Sequence, residues 1–156
     1  EVMSALNRAA AEAMAAFPVS ACTDVTGFGL IGHLHEMTAG SRVEAEIWAA
    51  RVPVLPEALA LAAAGFVPGG TRDNLDHATA TVAWDAEIAP LERLLLCDAQ
   101  TSGGLLISLP AEHVEPLMAR LRAVGVADAA WIGRVTGAGR GEIRVRREPE
   151  GAARRG

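Results

Sequence analysis

A carboxylate and a glycine-rich turn stand together near the start of the chain. Asp24 follows a segment, 19–23, that we predict to be a strand, and Gly27 and Gly29 lead into a predicted helix. A helix N-terminus presents unpaired amide donors that suit phosphate, and an aspartate beside it can hold a divalent cation that binds phosphate. We therefore predict a metal site at Asp24, with Thr26, Gly27 and Gly29 shaping its turn. The alternative is that Asp24 only caps the helix.

A second glycine-containing segment, PGGTRDN at 68–74, offers hydrogen-bond donors. Gly69 and Gly70 free the backbone to turn its amides inward, and Thr71 and Asn74 add side-chain donors. This composition predicts an anion-binding loop close to a nucleotide or phosphate. A surface turn has the same composition, so that alternative stays open.

A third polar turn runs directly into an apolar segment. Asp98 and Gln100 lie in CDAQTSGG, which leads into the continuous apolar run 104–109, a length and composition typical of a buried strand. Glycines at such a point allow close approach of a ligand or of another backbone segment. Asp98 and Gln100 are therefore either site residues or residues that stabilise the turn.

The first segment also contains a literal G-x-G-x-x-G. Gly27, Gly29 and Gly32 follow a predicted strand and open a helix, and Glu44 or Glu46 lies near the distance expected for a ribose-binding acid. A stand-alone dinucleotide-binding module is therefore a rival hypothesis. The polar residues before the glycines count against it, because the strand of such a unit is apolar and an aspartate there repels pyrophosphate.

Composition excludes several classes of function. All 14 basic residues are arginines, so the chain has no Walker-type phosphate lysine and no lysine base. The net charge of −5 argues against a nucleic-acid surface, and no apolar run is long enough to span a bilayer. Two cysteines make no disulfide framework, which is typical of a reduced, cytoplasmic protein.

The histidines and cysteines are better explained by packing than by chemistry. His33 shares a helix face with Glu36, whereas His35 points to a different face, so the two histidines do not form a metal pair. No base is assigned beside Cys22, and we expect Cys22 and Cys97 to be structural.

Helices alternating with strands must position these segments. The order predicts an α/β (α+β) architecture, a mixed sheet with helices packed on it. Predicted helices lie at 2–16, 30–39, between Pro53 and Gly65, at 90–96 and from Pro110 to Gly125. Predicted strands lie at 19–23, 42–49, 79–84, 104–109, 131–136 and 142–146. We predict a loop at 66–78 and a hairpin in which 137–141 joins the last two strands.

Three ordered motifs together resemble one enzyme family. ACTDVTGFGLIGHLHEM at 21–37, PGGTRDN at 68–74 and LLCDAQTSGGLLI at 95–107 are similar to motifs of the selenophosphate synthetases (selenide, water dikinases), and Ile132-Gly133 also fits. The resemblance covers residues 4–146 of this chain, but only the C-terminal half of the family's length.

The resemblance implies a fold like the C-terminal domain of aminoimidazole ribonucleotide synthetase, an α/β sandwich. It implies a reaction that converts ATP, selenide and water to selenophosphate, AMP and orthophosphate. Asp24 would then be a ligand of Mg²⁺ ions that hold the ATP phosphates. The family's reactive cysteine or selenocysteine and its lysine belong to an N-terminal domain, so the resemblance places no catalytic residue in this chain.

These inferences define the expected organisation of the protein. We expect one domain over 1–147, a flexible tail over 148–156 and an absent N-terminal catalytic domain as the chief partner, with a homodimer for the full-length enzyme. The chain alone is then expected not to turn over ATP. A scaffold domain without any ligand site stays open as a further alternative.

Overall fold

The computed structural model describes residues 6–151, which form six α-helices and six strands. The helices are α1 Arg8–Met14, α2 Gly29–Ser41, α3 Ala58–Ala63, α4 Gly69–Ala78, α5 Pro90–Leu96 and α6 Val114–Ala123. The strands are β1 Ala21–Asp24, β2 Val43–Trp48, β3 Val82–Trp84, β4 Leu105–Ser108, β5 Gly133–Ala138 and β6 Ile143–Arg146. Short 3₁₀ turns occupy Ala49–Arg51 and Ala111–His113.

The strands form two separate sheets. β1 pairs antiparallel with β4, and a four-stranded sheet has the order β3-β6-β2-β5. In the larger sheet β2 runs antiparallel to β5 and parallel to β6, and β3 runs parallel to β6. Helices packed on a mixed sheet confirm the predicted α/β class.

The predicted hairpin at the end of the chain is wrong. β5 and β6 lie on either side of β2, so they do not pair with each other. Their connection instead crosses the start of β2, where Gly139 N–H donates to the carbonyl of Arg42 and Gly141 N–H donates to that of Val43. Arg42 ends α2 in the left-handed region at φ 55°, which turns the chain into β2 at this point. A glycine-rich connection suggested a tight turn, but β2 supplies better hydrogen-bond partners to both strands.

The apolar residues form two clusters on opposite faces of β4. One cluster joins α2 and the four-stranded sheet and includes Ile31, Ile143 and Val145, with Leu106 packed against it. The other joins α1 and α6, with Leu105, Ile107 and Leu109 of the β4 segment packed against it. The continuous apolar run of β4 follows from contact with both clusters. Its four residues are only half-buried, which differs from the buried strand that we predicted.

Residues 66–78 are mostly helix, so the loop prediction is wrong for this segment. Pro68 stands at the N-cap of α4, and Gly69 and Gly70 occupy its first two helical positions. Thr71 and Ala78 are the buried residues of this helix and lie on one face at i and i+7. The glycine-rich, polar composition indicated a loop because the partners that stabilise this helix lie elsewhere in the sequence.

Several predictions fall partly outside the described residues. The helix predicted over 2–16 appears as α1, and its first positions, Val2 and Met3, lie outside 6–151, as do residues 152–156 of the predicted tail. Within 6–151, no helix combines the length and the apolar character needed to cross a bilayer.

A buried carboxylate links the strands of the larger sheet. Glu46 on β2 is 3% exposed. Its carboxylate accepts a hydrogen bond from Trp48 Nε1 at 2.7 Å and lies 2.9 Å from Arg146 Nε and 3.3 Å from Arg134 Nη2. Since Arg134 and Arg146 belong to β5 and β6, the charge holds together the three strands at the centre of the sheet. Its burial also shows that Glu46 is a structural residue and not an open ribose ligand.

Replacing Glu46 tests this assignment. We expect Glu46→Ala to lower the free energy of unfolding by about 2–3 kcal/mol, because the buried Trp48 Nε1 loses its acceptor and the partly buried Arg146 loses this counter-charge. Urea unfolding followed by far-UV circular dichroism measures the change. Glu44→Ala is the matched control, since Glu44 is an exposed residue of the same strand and its replacement should cost less than about 0.5 kcal/mol. Equal losses in the two variants would contradict the role given to Glu46.

Candidate functional site

Asp24 is the last residue of β1 and is exposed. Within residues 6–151 its carboxylate has no hydrogen-bond or ion-pair partner. The N-cap of α2 is Phe28, and no side chain bonds to the cap position. The alternative that Asp24 caps the helix is therefore wrong, and its charge is available to a ligand.

The turn after Asp24, residues 24–29, is held by the backbone of the CDAQTSGG segment. Val25 N–H donates to the carbonyl of Gly104 at 2.9 Å, and Gly103 N–H donates to the carbonyl of Val25 at 2.9 Å. Gln100 N–H donates to the carbonyl of Thr26 at 3.1 Å. These bonds continue the β1–β4 pairing into the turn, so the first and third motifs form one backbone unit.

Gly29 lies in direct contact with the same segment. Its φ is 68°, and a Cβ atom at this position would lie 2.7 Å from the carbonyl carbon and oxygen of Cys97 and 2.8 Å from the carbonyl oxygen of Asp98. Only glycine fits a left-handed conformation at such a distance. Gly27, by contrast, is exposed and has nothing within 4 Å of a Cβ position.

Helix α4 brings the second motif to the same place. Asn74 Nδ2 donates to the carbonyls of Gly27 at 2.9 Å and Cys97 at 3.1 Å. Thr71, which is 1% exposed, donates from Oγ1 to Asp98 Oδ1 at 2.7 Å and accepts from Ala99 N–H at 3.0 Å. All three motifs therefore meet, and Asn74 joins two of them directly.

The donors of the second motif are used within the protein. Both amide hydrogens of Asn74 and the single hydroxyl proton of Thr71 have protein acceptors. These residues therefore hold the turn in place rather than offering free donors to an anion. Gly69 and Gly70 are exposed at the start of α4, and their proximity to a nucleotide stays a prediction. Asp98 accepts the hydrogen bond from Thr71 and so stabilises the turn, while a role for Asp98 as a site residue stays a prediction.

A chain of side-chain contacts runs from the turn along the first part of α2. Thr26 Oγ1 lies 3.1 Å from His33 Nε2, and His33 Nδ1 lies 3.0 Å from Glu36 Oε2. The sequence placed His33 and Glu36 on one face but did not connect them to Thr26. The spacing of seven residues between Thr26 and His33 was the one sequence feature that could have indicated this contact. Thr26 precedes α2, so the two side chains meet only because of the conformation of the turn.

Neither thiol has a lowered pKa that would activate it as a nucleophile. Burial raises the pKa of Cys97 to about 12. Burial and the neighbouring charge of Asp24 raise the pKa of Cys22 above its usual value. Both side chains are therefore protonated thiols, in agreement with the structural role expected from the sequence.

The described residues around Asp24 do not form a complete cation site by themselves. Residues 6–151 contain no group of three or more histidine, cysteine, aspartate or glutamate side chains placed to hold a metal. Magnesium is commonly bound by one or two carboxylates, with water and substrate phosphates filling the other positions. The exposed, unpartnered carboxylate of Asp24 fits the role of one such ligand.

The dinucleotide-binding hypothesis is not supported by the topology. That unit needs two parallel neighbouring strands joined by a helix. β1 and β2 flank α2 but lie in different sheets, and β1 has an antiparallel partner. Gly29 and Gly32 instead make room for Cys97 and for Phe28 Cβ.

A cavity of about 630 Å³ opens elsewhere, between the two sheets and α6. Its lining is mainly aliphatic and includes Leu34, Ile47, Leu106 and Leu117. Asp24 and Thr26 do not line it. The cavity is therefore separate from the polar site at the end of β1.

Comparison with known proteins gives one family and a consistent group of relatives. Residues 2–146 match the family described as AIR synthase related protein, C-terminal domain. A selenide, water dikinase from Pelobacter propionicus is 48% identical over 133 residues, which cover 85% of this chain and 38% of that protein. The enzyme of the same name from Myxococcus xanthus is 46% identical over 136 residues, covering 86% of this chain and 38% of the relative. The selenide, water dikinase from Carboxydothermus hydrogenoformans is 44% identical over 147 residues, which cover 94% of this chain and 42% of that protein. The chain thus spans about two fifths of the length of these relatives.

The contact at Gly29 gives a prediction with an internal control. We expect Gly29→Ala to lower the free energy of unfolding by about 2–4 kcal/mol, because the methyl group adds a clash to a left-handed conformation. Gly27→Ala should change it by less than about 1 kcal/mol, since the same atom meets open space. Thermal and urea unfolding of both variants measure the difference. Similar stability of the two variants would show that the close approach to Cys97 does not exist.

Proposed function

This chain belongs to the AIR synthase related proteins, as their C-terminal domain, and we propose that it is the C-terminal part of an enzyme that makes selenophosphate. The reaction would convert ATP, selenide and water to selenophosphate, AMP and orthophosphate. The observation that carries the proposal is the convergence of three motifs on one turn that leaves the carboxylate of Asp24 exposed and unpaired. The relatives are selenide, water dikinases, which supports the choice of selenide as substrate.

Asp24 would act as one ligand of a magnesium ion. When bound, magnesium supplies positive charge that neutralises the phosphates of ATP during phosphoryl transfer. Asp24 would contribute a hard oxygen ligand, and the backbone bonds from Gln100 and Gly103 hold the turn that follows it. A positioned ligand avoids the cost of reorganisation when substrate binds.

The other functional groups would come from an N-terminal domain of the same enzyme. The chain contains no lysine, and both of its thiols are protonated at neutral pH. The share of the relatives that it spans leaves room for a further domain carrying the nucleophile and the remaining metal ligands. Such a domain is then the chief partner of this one, and the whole enzyme would act as a homodimer.

Replacing Asp24 in the full-length enzyme tests the metal assignment. We expect Asp24→Asn to reduce kcat by about 10²-fold or more and to raise the magnesium concentration needed for half-maximal activity, because a charged ligand is lost. Selenide-dependent AMP formation, measured over a magnesium titration, gives both quantities.

The control for this test is Asp128→Asn, an exposed aspartate in the connection after α6. It removes the same charge away from the turn and should leave both quantities unchanged. Unchanged activity and magnesium dependence in Asp24→Asn would remove the metal role and favour a scaffold domain.

The proposal also predicts the behaviour of the chain alone. The 156-residue chain should produce no AMP from ATP and selenide under conditions in which the full-length enzyme does, since it contains no lysine and residues 6–151 contain no complete metal-binding group. The full-length enzyme at equal concentration serves as the control. Selenide-dependent AMP formation by the chain alone would contradict the division of roles.

A further inference from the structure

A group of exposed apolar side chains lies on and around helix α3. Among the residues that the structure describes, nine large apolar side chains are exposed, and five of them belong to the single segment 54–66. We call these five the α3 surface: Val54, Leu55, Leu59, Leu61 and Phe66. Single exposed apolar residues are ordinary, but a group of them marks a contact site.

The composition of α3 is that of a buried helix. Its sequence, ALALAA at 58–63, has no polar side chain, yet Ala62 is its one buried residue. A helix that is apolar on all sides is normally enclosed by protein. Residues 52–71 contain a single charged side chain, Glu57, in a chain of which 21% is charged. The segment is therefore suited to a covered position, and its exposure here leaves an apolar contact unmade.

The α3 surface adjoins the residues that hold the candidate site. A groove of about 160 Å³ beside α3 is lined by Leu61 and Phe66, and also by Thr71 and Asp98. The hydroxyl of Thr71 donates to Asp98 at 2.7 Å, and this bond ties the second motif to the third. A partner bound to the α3 surface would therefore lie next to the place where the three motifs meet.

The start of α1 is tied to the same part of the molecule. Asn7 Nδ2 donates to the carbonyl of Gly103 at 3.0 Å, and Gly103 N–H donates to the carbonyl of Val25. A domain that precedes this one, as the proposed function requires, is therefore joined to it beside the turn after Asp24. The relatives have the length for such a domain, because the chain spans only about two fifths of them.

A lipid surface matches these residues less well than protein does. Helices that lie in a membrane interface carry lysine or arginine beside their apolar face. Between Arg51 and Arg72 the sequence has no basic residue, and its one charge is the negative charge of Glu57. A nearly uncharged apolar surface of this kind is complementary to another apolar protein surface.

We infer that the α3 surface is the docking face for the N-terminal part of the same enzyme, and that this contact holds that part beside the turn after Asp24. The inference rests on the proposed function, from which it takes the occupant, and it adds the surface by which the two parts meet. The contacting patch of the N-terminal part is apolar and uncharged, because a charge placed against Leu59 or Phe66 would lose its water without gaining a partner.

Hydrogen exchange of the full-length enzyme and of the 156-residue chain tests the contact. We expect amides 58–66 to exchange about 10-fold or more slowly in the full-length enzyme, because docking opposes the opening of α3. The amides of α6 are the internal reference. Slowing of both segments by the same factor would indicate general stabilisation and would contradict a local contact.

A charge on the α3 surface should undo the protection. In the full-length enzyme, Leu59→Glu should return amides 60–66 to the exchange rate of the 156-residue chain. Ala119→Glu places the same charge on an exposed position of α6 and should keep the slow exchange. Because Leu59 is 49% exposed, the 156-residue chain should fold with either substitution, which far-UV circular dichroism verifies.

Cross-linking identifies the occupant. Ala60 is exposed on α3, and Ala60→p-benzoylphenylalanine in the full-length enzyme places a photoreactive group on this face. A cross-link within one chain keeps the mass of a single chain on a denaturing gel, and mass spectrometry should locate it in the N-terminal part. A product of doubled mass would show that a second copy covers the surface and would overturn the inference.

The outcomes separate this inference from the function on which it rests. If amides 58–66 exchange equally fast in both proteins while Asp24→Asn impairs AMP formation, the docking is overturned and the metal role stands. If the amides are protected and the cross-link lies within one chain, but Asp24→Asn is fully active, the docking stands and the metal role is overturned.

Discussion

The contact between Gly29 and the peptide after Cys97 is the constraint on which the site depends. A side chain at this position would overlap the carbonyl of Cys97, so the turn after Asp24 can approach the third motif only through a glycine. The same carbonyl accepts from Asn74, which also binds the carbonyl of Gly27. One close approach thus brings β1, α4 and the segment before β4 together, and the end of β1 is fixed from three directions.

That packing holds the backbone on which the exposed carboxylate of Asp24 stands. The side chain of Asp24 has no partner within the described residues, yet backbone bonds to Val25 and Thr26 hold the chain on which it stands. The backbone that carries the proposed ligand is therefore ordered during folding.

The sequence predicted the elements whose patterns are local. Apolar spacing, with proline and glycine at the ends of elements, predicted α2, α5 and the positions of the six strands along the chain. The structure agrees with these predictions. It failed at α4, where Thr71 and Asn74 have polar partners far away in the chain, and at β5 and β6, where β2 inserts between two strands joined by a glycine-rich connection. In both cases the contacts that determine the structure join residues far apart in the sequence, so local composition cannot predict them.

For the candidate site, the sequence by itself determined which residue types were available: one aspartate at a strand end, glycines after it, no lysine and two isolated cysteines. It also determined the family, because three motifs in a fixed order are specific where each alone is not. Only the tertiary structure decided the roles. Thr71 and Asn74 hold the turn because their donors meet carbonyl and carboxylate groups, and Thr26 contacts His33, which lies seven residues further along the chain in α2. Hydrogen bonds between side chains depend on distances of about 3 Å, and those distances are set by packing and not by spacing along the chain.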